Sequence, residues 1–434
     1  MNTEVRKPTD RWYVLAVLTI VYALNIADRY SISALIDPIR RELHLSDGGV
    51  AFLTGVSLGL FYVTLGLPIA SLADRSNRRN LIAASLAVWS LMTALSGLAQ
   101  SYSQFLLTRF GVGVGEAGGT PPSTSILADK FPAARRPMAL AIYALGASAG
   151  AYLGSYVAAS VAEWHGWRAA LLVLGIPGLV VALCVLLTVK EPLRGELDER
   201  RSDVGDDHAS FLGTLKFLRG SAPAMHLIAG GTIATLWSWG LMWWMPTFLQ
   251  RTHSLSVGEA GRLLGPMHLV AGTAGSVMAW WFMGRPSAAR ASYIAGVLTC
   301  VTAVATIPSL VVCMNVSLLT ATLMLWIFVP GVYFFIGPIF GVLQNVVPPH
   351  MRATTCAVLV FCANIANLVI APQFVGWLSD AFLPIAQTRE ASLRWALLVL
   401  APTGFWAAWH FWRFGATFKK QAGWAPESGS IKAV

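Results

Sequence analysis

The sequence predicts an all-α membrane protein of twelve transmembrane helices, built as two six-helix bundles around a central cavity. Three observations predict it. Of 434 residues, 56% are hydrophobic and only 12% are charged, against roughly 25% charge in soluble domains. Twelve apolar spans can be drawn, near 12–36, 47–73, 80–99, 103–127, 136–161, 167–189, 223–249, 261–283, 291–312, 316–345, 353–379 and 393–415. Each reaches the ~20 residues that cross a hydrocarbon core. One long polar segment, Lys190 to Ser221, divides them six and six. The expected organisation is therefore an N-terminal bundle over 1–189, a cytoplasmic linker over 190–222, and a C-terminal bundle with a cytoplasmic tail over 223–434.

Span one opens at Trp12 and runs to Ile36. It is too long for the apolar region of a signal peptide, and no small-residue cleavage site follows it. It contains Leu24-Asn25-Ile26-Ala27-Asp28-Arg29-Tyr30, which places an acid and a base at membrane depth. Span four contains Arg109-Phe110-Gly111-Val112-Gly113-Val114-Gly115-Glu116-Ala117. Arg109 and Glu116 are seven residues apart, about two helical turns, so they share a face. Of 21 Asp and Glu, only Asp28 and Glu116 lie deep in a span; of 31 Lys and Arg, only Arg29 and Arg109 do. A charge at that depth costs at least a few kcal/mol unless it is paired or hydrated. These four residues are the expected proton or ion site.

Span five carries Gly146, Gly150 and Gly154 at four-residue spacing, a face that lets another helix approach closely. Span six opens on Trp167-Arg168-Ala169-Ala170-Leu171-Leu172-Val173-Leu174, and span twelve on Leu393-Arg394-Trp395-Ala396-Leu397-Leu398-Val399-Leu400. The match suggests that the two halves arose by duplication, with a substrate site between them near mid-membrane. The linker ends in an amphipathic stretch near Phe211–Leu218. Span seven holds Trp237, Trp239, Trp243 and Trp244 ahead of Pro246. Trp237 or Trp239 is expected on the cavity wall, with other tryptophans at the interface. Asn25, Tyr143, Tyr333, Asn364 and Asn367 are the polar positions expected to complete a substrate site. His226 and His268, near span starts, are read as interfacial.

With both termini cytoplasmic, 22 of the 31 Lys and Arg fall in inside segments and seven outside, as the positive-inside rule requires. The net charge of +10 thus follows from topology and does not point to nucleic acid. The five cysteines have no metal-ligand spacing, so neither a metal site nor a disulfide framework is expected. No nucleophile–base set marks an enzyme.

The loop after span two reads Ala70-Ser71-Leu72-Ala73-Asp74-Arg75-Ser76-Asn77-Arg78-Arg79. It resembles the signature loop of the major facilitator superfamily, Gly-x-x-x-Asp-Arg-x-Gly-x-Arg-Arg. Asp74, Arg75, Arg78 and Arg79 match, while Ala70 and Asn77 replace the two glycines. The resemblance implies a twelve-helix facilitator fold and a cytoplasmic gate latch at these residues. The loop after span eight, Gly284 to Arg290, has bases but no acid, so the latch is expected on one side only. Within the superfamily, Asn25-Ile26-Ala27-Asp28-Arg29-Tyr30 resembles the Asn-x-x-Asp-Arg of the spinster family of lysolipid and sphingolipid transporters. Gly113-Val114-Gly115-Glu116-Ala117, with Ala128-Asp129-Lys130-Phe131 and Arg135-Arg136 downstream, resembles that family too. The sequence departs from it at Gly118-Gly119-Thr120-Pro121-Pro122, where spinster proteins carry Ser and aromatic residues.

The resemblance implies a proton-coupled secondary transporter in the bacterial inner membrane. Asp28 and Glu116 would take up protons, with Arg29 and Arg109 pairing whichever acid is ionised. The substrate would be a lysophospholipid or sphingolipid-type molecule. A multidrug exporter and an organic-anion carrier are the alternatives. A monomer is expected, with protons as the coupling ion and no cofactor.

Overall fold

A computed structural model describes residues 9–132, 135–194, 211–283, 291–314 and 316–422. The acidic runs of the linker, the loop after span eight and the C-terminal tail lie outside them. So does the Asp74 side chain, although its backbone lies in the last turn of a helix.

Every predicted span is helical. Span one is α1 (Thr9–Glu42). Span two is α2 (Asp47–Ala51), a π turn (Phe52–Val56) and α3 (Ser57–Arg75), followed by span three as α4 (Arg78–Ser96). Span four divides into α5 (Tyr102–Glu116) and α6 (Thr120–Lys130); five and six are α7 (Arg136–Tyr152), a π turn (Leu153–Val157) and α8 (Ala158–Thr188). The amphipathic stretch forms α9 (Phe211–Gly220), before α10 (Ala222–Thr252), α11 (Val257–Met283) and α12 (Ala291–Cys313). Span ten is α13 (Leu318–Phe334) with α14 (Ile336–Val346). Span eleven is α15 (Arg352–Asn364), a π turn (Ile365–Ile370) and α16 (Ala371–Ala386). Span twelve is α17 (Arg389–Leu400) with α18 (Thr403–Ala422).

Helix starts follow local chemistry. Ser46, Ser101, Ser221, Ser317 and Thr388 cap α2, α5, α10, α13 and α17 through their hydroxyls, each satisfying a backbone N–H that has no partner in the helix. Asn77 does the same for α4, accepting from Asn80 N at 2.9 Å. That gives a reason for asparagine where the signature loop has glycine. Among the described residues, six helical stretches are long and apolar enough to cross a membrane on length and composition alone. One of them, Met138–Thr188, contains spans five and six. Gly166 separates the two at φ +80°, a conformation costly for any residue with a Cβ.

Gly146, Gly150 and Gly154 stand against the backbone oxygens of Thr19, Ala23 and Ala27. They are a packing face for α1, as their spacing suggests. Across the halves, the π turns of spans two and eleven meet, and a Cβ on Gly55 would lie 2.9 Å from Leu368 O. Such turns often mark functional positions, and Asn367 sits inside the second one.

Candidate functional site

The four charges singled out in the sequence come from α1 and α5. Arg29 Nε donates to Glu116 Oε2 at 2.9 Å, and Arg29 Nη2 lies 2.7 Å from the same oxygen. The Arg29 guanidinium also covers the Tyr62 ring at 4.7 Å. Arg109 Nη1 donates to Asp28 Oδ2 at 3.2 Å, and Thr93 donates to Asp28 Oδ1. The four charges singled out in the sequence thus form two ion pairs joining α1 to α5. All are buried or nearly so, which suits ions that have left water only if partnered. Arg109 and Glu116 share a helix face but not a partner. Thr93 was not foreseen, because an interior threonine normally bonds back to its own helix.

A cavity of about 280 Å³ lies between the halves, close to the lower end of small-molecule sites. One wall carries Tyr22, Asn25, Arg29, Tyr62 and Thr120. The other carries Trp239, Ile339, Phe340 and Leu359, with Asn364 and Asn367 at its polar edge. The cavity is polar and cationic on the N-terminal side, apolar and aromatic on the C-terminal side. It runs from Ser33 and Trp243 toward Phe340 and Val360. At the Ser33 end the halves are joined where Ser33 Oγ donates to Trp243 O at 2.6 Å.

Of the residues expected on its wall, Asn25, Trp239, Asn364 and Asn367 are there. Trp237 is not. Its ring is fully buried within the C-terminal half against Phe328, and its N–H donates to Ser309 at 3.1 Å. Tyr143 stands one layer back, stacked on Tyr22 at 4.7 Å. Tyr333 is also behind the wall, its hydroxyl 3.1 Å from His268 Nδ1 and 3.5 Å from Tyr30 OH. Helix rotation separates Trp237 from Trp239, and a span buried on every side gives no periodicity from which to read it. His268 is correspondingly not interfacial: it is buried where the two halves meet, its ring 4.6 Å from that of Tyr30.

At the latch loop, Arg78 is buried and bound to Asp129, Glu191, Ser125 and the Pro192 carbonyl. Arg79 is tied to Glu191 through its N–H. At the opposite end lies a cluster the sequence reading left out. Arg251 of α10 grips Asp47 with two bonds of 2.8 Å and Asp37 with one of 3.0 Å. Ser379 donates to Asp47 at 2.7 Å, and Asp380 accepts from the N–H groups of Asp47 and Gly48. Glu163 meets Arg262 and Ser256 nearby. All of these bonds cross between the halves. Asp37, Asp47 and Arg251 sit at span ends, where charge is normal, so nothing in their sequence positions set them apart.

A family model for the major facilitator superfamily matches residues 18–372. The chain belongs to the major facilitator superfamily. It is a membrane transporter rather than an enzyme. Among facilitators, an MFS-type efflux pump of Mycolicibacterium smegmatis is 28% identical over 95% of this chain and 94% of its own. Spinster homolog 1 of Xenopus tropicalis is 32% identical over 55% of this chain and 46% of its own length, so the chain matches under half of that relative. The crystal structure of a bacterial homolog to the human lysosomal transporter spinster, inward-facing and unoccupied, superposes with a TM-score of 0.85 at 27% identity. It covers 96% of this chain and 99% of that one. This facilitator therefore resembles the bacterial spinster homologues over almost its full length.

Proposed function

We propose that the protein is a proton-coupled transporter of an amphipathic molecule with an anionic head and an apolar tail, of the lysophospholipid or sphingolipid type. The observation that carries this reading is Arg29, held by Glu116 on the polar wall of an otherwise apolar cavity. When Glu116 takes a proton, Arg29 loses its counter-ion and becomes free to bind a phosphate or carboxylate. The tail then lies along Trp239, Ile339, Phe340 and Leu359. Each buried CH₂ is worth ~0.8 kcal/mol. Asn25, Asn364 and Asn367 hold the polar junction. Asp28, paired with Arg109, is the second proton carrier, and binding both protons shifts the balance between the two alternating-access states.

The basic-residue bias supports cytoplasmic termini in a bacterial inner membrane. This makes the Arg78 end cytoplasmic and the clamp around Asp47 external. Residues 1–189 and 223–434 are then the two moving bundles, joined by the linker, with the Asp74–Arg79 loop at the cytoplasmic gate. A monomer suffices, since the cavity is complete within one chain.

A second reading, a multidrug exporter, is favoured by the whole-length similarity to the mycobacterial efflux pump. Transport of lysophosphatidylethanolamine, sphingosine phosphate and a panel of cationic drugs into proteoliposomes under an imposed pH gradient tests both. The lipid reading expects gradient-driven lipid movement that Glu116→Gln and Asp28→Asn each abolish, because a carboxamide cannot bind or release a proton. Drug transport without lipid transport would select the exporter. Full proton-driven flux in both variants would refute the coupling role of the acids.

A further inference from the structure

Asp28 and Arg29 are neighbours in sequence but leave α1 on different faces. Arg29 lines the substrate cavity; Asp28 does not. Asp28 instead borders a separate internal void of about 10 Å³, walled by Leu24 and Ala27 of α1, Trp89, Ser90 and Thr93 of α4, and Leu174 and Gly175 of α8. A void of that size holds one water if two to four polar groups can bond it. Here the groups are the Asp28 carboxylate, the Ser90 hydroxyl and the Thr93 hydroxyl.

The packing keeps this place open and polar. A Cβ on Gly178 would run into Ser90 Oγ, and one on Gly175 would lie 2.6 Å from Ala94 N. A Cβ on Gly115 would lie 2.6 Å from Trp89 N. Three glycines thus let α4 press against α5 and α8, which sets Ser90 and Thr93 in the same wall as Asp28. The charged groups facing Asp28 are Arg109 and, within electrostatic reach on the same helix, Glu116. From α4 and α8 only hydroxyls and apolar groups face it. A polar pocket inside a bundle in lipid is costly and is retained where it serves transport.

We propose that Asp28 exchanges its proton with a water molecule bound in this pocket, on the side of α1 turned away from the substrate cavity. The step moves one proton. A hydronium O–H bond breaks, an Asp28 O–H bond forms, and a neutral water remains between Ser90 and Thr93. Arg109 then faces a neutral acid. The inference rests on Asp28 being a proton carrier, and gives it a proton partner separate from Glu116 and from the substrate cavity. A substrate filling the cavity should therefore not block this exchange.

The test is time-resolved infrared difference spectroscopy after a pH jump on the full chain in lipid nanodiscs, in a Glu116→Gln background. The Asp28 carboxyl band is assigned by its loss in Glu116→Gln/Asp28→Asn. Adding Ser90→Ala should slow protonation of Asp28 about tenfold. Adding Ala363→Trp, which fills the substrate cavity, should leave the rate unchanged. The reverse pattern, or equal rates in all three backgrounds, overturns the proposal. Gly178→Ala, whose methyl group would displace the Ser90 hydroxyl, should reproduce the Ser90→Ala effect wherever the variant folds. If no band is lost with Asp28→Asn, Asp28 does not titrate. That outcome brings down its coupling role itself, and is distinct from a failure of the route alone.

Discussion

Each end of the helical bundle has a buried arginine, and the two do different work. Arg78 binds Asp129 of its own half and Glu191 at the start of the linker, neither across the interface. Arg251 binds Asp37 and Asp47, both across the interface. The chemistry is the same, bidentate or forked guanidinium–carboxylate bonding out of water. Only the second set must break when the halves part at that end. Arg78 therefore fastens a loop within a moving body, whereas Arg251 fastens two bodies together. A buried ion pair says little about a conformational cycle until its partners are assigned to one rigid unit or two.

The largest effect should come from Arg251→Ala. It leaves two carboxylates buried without their main partner, a loss of about 3–5 kcal/mol for a broken buried pair. Because the bond exists only while that end is closed, the loss falls on the closed state. Ser33→Cys, whose parent serine is buried and bonded to Trp243 across the halves, should then react with an impermeant maleimide at least tenfold faster, over the background of native cysteines. Unchanged labelling would mean that Arg251 is not a clamp.

Arg78→Ala sharpens the contrast. It also breaks buried pairs, so melting temperature should fall by an amount similar to that of a 3 kcal/mol lesion. Ser33→Cys labelling should stay at its original rate, since no inter-half bond is lost. A labelling change as large as that of Arg251→Ala would erase the distinction between the two ends.

Trp237→Ala and Trp239→Ala form a smaller pair of effects. Trp237 sits in the core of the C-terminal half, so its removal should cost ~3–5 kcal/mol of stability with little dependence of transport on substrate chain length. Trp239 lines the cavity, so its removal should weaken long-chain substrates more than short-chain ones, with a modest loss of stability. Thermal melts and a chain-length series of lysolipids in a binding assay would separate them. A chain-length effect in Trp237→Ala would contradict the observed packing.

The smallest effect is expected at Glu163. Its pair with Arg262 is open to water, where such bridges contribute little. Glu163→Gln should raise Ser33→Cys labelling by no more than a few-fold, and added salt should reduce even that difference. A response as large as that of Arg251→Ala would shift the clamp toward Glu163.

Much of this was legible in the chain. Twelve spans, the six–six division and the four deep charges follow from hydropathy, because lipid tolerates few unpaired charges and each exception stands out. The pairing of Arg29 with Glu116 and of Arg109 with Asp28 could not be read so directly. Asp28 and Arg29 are neighbours and Arg109 and Glu116 stand about two turns apart, so hydropathy alone leaves either pairing open, and the rotation of α1 against α5 chooses between them. Asp37, Asp47 and Arg251 were hidden for a different reason. At span ends a charge costs little in water, and only folding of the two halves against each other removes the water. The same holds for Trp237 and Trp239, His268 and Ser90, whose surroundings depend on which neighbour each helix face meets. Sequence alone determined which segments enter the membrane and where charge must be neutralised, since both depend on transfer from water to lipid residue by residue. Tertiary structure decided which charge neutralises which, which wall each ring lines, and which end of the bundle is fastened. Those depend on helix rotation and crossing, which side chains far apart in the chain settle together.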